Sequence, residues 1–116
     1  MKTKTLVVFF ALSTLAIAQA QPTYTAAEAA KHVGETATVK DRVEGVHHTG
    51  KGNIFLNMGG KYPNQAFTAF IPSGSAAQFS NAQQYKGRIV SVSGKITLYK
   101  GKPEIIVTSP GQISAQ

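Results

Sequence analysis

Residues 87–106 read GRIVSVSGKITLYKGKPEII, and the fold turns on how their apolar positions alternate. Val90, Val92, Ile96 and Leu98 are spaced in twos, with Ser91, Ser93, Lys95 and Thr97 among them. That is the period of a half-buried strand. Gly94 interrupts the pattern, where a glycine marks a bulge or a sharp bend. Lys100-Gly101 supplies a tight turn, and Pro103 to Val107 returns as a partner strand. A long bent strand closing a hairpin with a short one is the corner on which small barrels are built.

Working back from this hairpin, the chain supplies the remaining walls. Glu35 to His48 reads as a first long strand, with Ala37, Val39 and Val43 on one face and Thr38, Lys40, Arg42 and Glu44 on the other. Gly45 is expected to introduce a bulge there. A glycine turn with Lys51 at its tip, Thr49 to Asn53, leads to a second strand, Ile54 to Met58. The loop Lys61 to Gln65 leads to a third, Ala66 to Ile71. Two helices are expected. Thr25 and Glu28 have capping-box spacing before an alanine-rich run that Gly34 can close. Ala76 to Tyr85 forms the other, with Ala77, Phe79 and Ala82 inward. Ser109-Pro110-Gly111 ends the last strand, and Ile113 can tuck back onto the body.

The N-terminus reads differently. Lys2 and Lys4 precede a short apolar run, Leu6 to Ile17, and Ala18-Gln19-Ala20 has the small-residue pattern of a cleavage site. Residues 1–20 are therefore expected to be a secretory signal peptide and residues 21–116 one domain, periplasmic or secreted, with no stable membrane insertion after cleavage. The sequence has no cysteine. A small exported domain without disulfides must rest on packing and closure alone, and thiol chemistry is excluded. Without Lys2 and Lys4, ten lysines and arginines face five acids, a net charge of +5. Such a balance favours polyanions.

The expected order is long bent strand, strand, strand, helix, strand, strand. The fold class is therefore mainly β: a five-stranded oligonucleotide/oligosaccharide-binding (OB) barrel with a short N-terminal helix and a helix between strands three and four. The segments GETATVKDRVEGV, IFLNMGGKYPNQAFTAFI and KGRIVSVSGKITLYKGKPEIIVTSPGQI, from about Val33 to Ile113, also resemble the exported single-domain OB-fold proteins of bacteria. That group is placed with nucleic-acid-binding, tRNA-anticodon-like OB domains. The resemblance implies the fold and, by analogy of fold, nucleic-acid binding. It implies no catalytic residue. Its members often carry a cysteine in each of the first and fourth strands, where this chain has Lys40 and Val90.

Ligands of such barrels cross the second and third strands between two flanking loops. Here those loops carry Lys51 and the pair Lys100 and Lys102, with Lys61 and Tyr62 just beyond strand two and Tyr99 beside the second loop. Lysines can follow phosphates, and Tyr62 and Tyr99 can stack bases. Phe55 and Phe70 can stack as well, although core positions explain them more simply. His47 and His48 point to opposite faces of a strand, so no metal site is expected. The acids Glu28, Glu35, Asp41, Glu44 and Glu104 are dispersed, with Glu28 as a cap and Glu104 beside Lys102 as a surface partner. No phosphate loop or nucleophile motif is present, and neither an enzyme nor a cofactor is expected. The expected function is weak, sequence-independent binding of single-stranded nucleic acid or another polyanion. The alternatives are a module that docks an envelope protein and, further off, an oligosaccharide binder.

Overall fold

In the computed structural model, which describes residues 21–116, seven strands follow one another. They are β1 Thr23–Tyr24, β2 Thr36–His48, β3 Ile54–Met58, β4 Phe67–Ile71, β5 Ile89–Tyr99, β6 Lys102–Ile106 and β7 Ile113–Ala115. The signal peptide expected over residues 1–20 lies outside the described residues.

Two long strands close the structure by changing partners halfway. β5 pairs with β2 from Ile89 to Lys95, then with β6 from Ile96 to Tyr99. The switch falls at Gly94, whose φ is 156° and where a Cβ would stand 2.7 Å from Ile105 Cγ2. The glycine read from the alternation is thus where strand and partner approach too closely for a side chain. β2 repeats the device: Thr36 to Arg42 face β5, and Val43 to His48 face β3 after a register shift between Val43 and Gly45. With β3 on β4 and β4 parallel to β6, the five strands β2, β3, β4, β6 and β5 form a closed ring. Strand β1 lies parallel beside β2 and β7 antiparallel beside β5, so the sheet has seven strands.

Lys100 and Gly101, at φ 49° and 79°, form the tight turn from β5 to β6. Two successive positive φ values give a turn whose twist matches the hairpin it joins. The interior holds alternate residues from the five strands of the ring: Val39, Val43, Leu56, Met58, Phe67, Ile71, Val90, Val92, Ile96 and Ile105 are fully buried.

Both expected helices are corrected to 3₁₀ turns. The alanine-rich segment has its reciprocal cap, with the Thr25 amide donating to Glu28 Oε1 (2.8 Å) and the Glu28 amide to Thr25 Oγ1 (3.2 Å). It closes only one short turn, Ala29–Lys31. Such a segment is too short to offset helix nucleation, so packing of Ala26 and Ala29 decides its shape. Just after this turn His32 Nδ1 lies 2.6 Å from Glu35 Oε2, and its ring stacks on Tyr24 at 3.7 Å. The stretch between β4 and β5 is likewise two turns, Ala76–Phe79 and Ala82–Tyr85, with Phe79 and Ala82 buried and Ala77 exposed. Among the described residues no helix is long and apolar enough to cross a membrane.

Candidate functional site

β3 decides which residues face outward. Ile54, Leu56 and Met58 enter the interior, so Phe55 and Asn57 lie on the outer face. Register carries that face around the ring. Gly45, Asn57, Thr68, Glu104 and Thr97 stand opposite one another in one row, and His47, Phe55, Phe70 and Ile106 in the next. Phe55 and Phe70 are therefore not core residues. They are half-buried and pair across the strands with ring centroids 5.0 Å apart and planes tilted by 49°, while His47 stands 6.3 Å from Phe55.

Above these rows runs an open groove of about 750 Å³. Its lining includes the loop residues Lys61, Tyr62, Pro63 and Gln65 and the hairpin residues Tyr99, Lys100 and Lys102, with Lys86 arriving from the segment before β5. Five of the six residues expected from sequence, Lys61, Tyr62, Tyr99, Lys100 and Lys102, meet in this groove. Lys51 does not line it and sits exposed on its own turn. Tyr62 is 76% exposed and Tyr99 51%, so both rings are open to a ligand. The Lys100 ammonium lies 5.4 Å from the centroid of the Tyr99 ring, keeping the charge beside the aromatic face.

Lys102 plays another part. Its Nζ donates to the backbone carbonyl of Pro63 and to that of Gln65 (3.2 Å), tying β6 to the loop between β3 and β4. The charge is used inside the molecule and does not face Glu104 as the sequence suggested. Glu104 itself is only 6% exposed, on the groove floor with Asn57 and Thr68, whose hydroxyl donates to Asn57 Oδ1 at 3.3 Å. Gln65 Oε1, also in the groove lining, is buried without a hydrogen-bond partner among the described residues. These floor residues, with Lys86 and His47, are the ones that sequence reading missed.

Burial holds the Glu104 carboxyl above the ordinary carboxylate range. The folded state therefore favours the protonated form, and stability is lost as pH rises through the raised value; below the ordinary value near 4.5 that loss is absent. Glu104→Gln should raise the denaturation midpoint at neutral pH, with the gain vanishing well below pH 4.5. Equal gains at both pH values would show that ionisation of Glu104 is not the cause.

Among the described residues, no group of His, Cys, Asp and Glu stands where it could hold a metal ion. His47 and His48 alternate across the strand.

No family model and no curated protein matches the chain. Solved structures do. An aspartyl-tRNA synthetase from Leishmania major Friedlin aligns with a TM-score of 0.56 at 14% identity, over 84% of this chain and 21% of that one. An aspartyl-tRNA synthetase from Entamoeba histolytica aligns at 0.49 and 21% identity, over 73% of this chain and 19% of that one. The chain thus spans about a fifth of the synthetase chains it matches, and its likeness to the Leishmania protein is one of fold.

Proposed function

We propose that this chain is an exported OB-fold module that binds single-stranded nucleic acid along the outer groove and catalyses no reaction. The observation that carries the reading is the convergence of Lys61, Lys86 and Lys100 with Tyr62, Tyr99 and Phe55 around one groove. Cations that track a phosphate chain beside aromatic faces that stack bases are what a single strand requires. The Leishmania neighbour is by name an enzyme of a transfer RNA, which makes nucleic acid the first ligand class to test. Export is supported by Lys2, Lys4, the apolar run and Ala18-Gln19-Ala20.

Fluorescence anisotropy of residues 21–116 with a labelled thymidine oligomer, across a salt series, tests the binding. Three groove lysines at about 0.7 counterions each give a log–log slope of about −2. Absence of binding at low salt would overturn the reading and turn attention to an envelope protein as partner. Lysine variants separate two roles. Lys100→Ala should lower the slope by about 0.7, because a phosphate contact is gone. Lys102→Ala should weaken binding with the slope unchanged, because what is lost is the hold on the Pro63 and Gln65 carbonyls. A drop in slope for Lys102→Ala would instead make Lys102 a phosphate contact.

A further inference from the structure

The floor of the groove has the opposite character to its rim. Glu104 is more than nine-tenths buried, and the ammonium nearest in sequence on its strand, Lys102, is held by loop carbonyls. Beside the main groove a smaller hollow is lined by Asn53, Phe55, Phe70, Tyr99 and Glu104. Phe55, Tyr99 and Glu104 line both hollows, so the buried acid sits where they meet, flanked by two aromatic rings. Elsewhere in the main groove, Gln65 carries a buried Oε1 without a hydrogen-bond partner among the described residues. A sequence-neutral phosphate track needs no such acceptors. Taking a carboxylate largely out of water is unfavourable, and a donating ligand offsets that loss.

We infer that this junction is a base-reading subsite selective for guanine. A base stacked on Phe55 turns its edge toward the floor, and single-stranded bases are read through such edges. A carboxylate offers two acceptor oxygens and no donor. Guanine alone among the common bases presents two adjacent donors on one edge, N1–H and the N2 amine, matching that pair. Adenine and cytosine set an acceptor beside their amine, and thymine and uracil flank N3–H with two carbonyls, each of which opposes a carboxylate oxygen. The inference rests on the proposed single-strand binding and adds base selectivity to it.

The test uses fluorescein-labelled thymidine nonamers whose central base is guanine, hypoxanthine, adenine or thymine, with wild-type and Glu104→Gln proteins at mildly alkaline pH. Hypoxanthine keeps N1–H and lacks the N2 amine. Guanine is expected to bind about tenfold tighter than hypoxanthine or thymine, the worth of one charge-assisted hydrogen bond. Glu104→Gln should remove that preference, and a cooperative melting curve on the same variant reports that it is folded. Equal affinity for all four central bases overturns the inference and leaves single-strand binding standing. A guanine preference unchanged in Glu104→Gln overturns the role given to Glu104. Failure of every oligomer to bind at low salt overturns single-strand binding itself, and the subsite with it.

Discussion

Replacing Phe55 and Phe70 together by alanine is expected to weaken single-strand binding by about tenfold to a hundredfold and to leave the fold standing. The two rings form one pair on the outer face, 5.0 Å between centroids, and Phe55 lines the groove itself. A stacked base is worth about 1–3 kcal/mol to an aromatic platform, and this substitution removes the platform whole. The ring interior keeps Ile54, Leu56 and Ile71, so thermal unfolding should stay cooperative. Anisotropy and a melting curve on the same variant check both halves. Undiminished binding would move the stacking role to Tyr62 and Tyr99, and a collapsed melt would return the two rings to the core.

The second large effect lies on the same hairpin and has the opposite sense. Phe67→Ala should cost about 3–5 kcal/mol of stability, since Phe67 is fully buried and its removal leaves a cavity among packed neighbours. A domain of this size has about 5–15 kcal/mol in all, and no disulfide stands behind it. Denaturant titration should show a midpoint shifted far toward water with m unchanged. Binding measured under conditions where the variant is still folded should match wild type, because Phe67 takes no part in the groove lining. A cost below about 1 kcal/mol would mean that neighbouring side chains close the space.

That two phenylalanines of β4, Phe67 and Phe70, differ so much shows where sequence stops deciding. In β5 only one parity is apolar from Val90 to Ile96, and there the strand, its face and its bend at Gly94 follow from residues alone, whereas Leu98 keeps the parity and is exposed. In β3 and β4 both parities carry apolar or aromatic residues, so period two identifies the strands and leaves their faces open. Register from β2 and β6 settles it. Lys61 and Lys100 were legible because they lie in loops that the strand order brings together. The part played by Lys102 was not, since its acceptors are carbonyls 37 and 39 residues away, and a carbonyl has no letter in the sequence. Glu104 was misplaced for the same reason: adjacency to Lys102 on one face suggested a pair that tertiary contacts broke. Strands β1 and β7 are two and three residues long, below the length at which any periodicity can be read.

The bond from Lys102 to the loop carbonyls also bears on how fast a ligand can be taken up. With Lys61 to Gln65 fixed by that contact before a strand arrives, the conformational entropy of the loop, about 1–2 kcal/mol per residue, is lost during folding. Encounter with the wild-type groove should therefore be governed by diffusion and charge steering, its observed rate rising linearly with oligomer concentration. Releasing the loop would transfer the ordering step to the encounter complex. The rate would then level off at high concentration, and the plateau would measure how quickly the loop finds its bound shape.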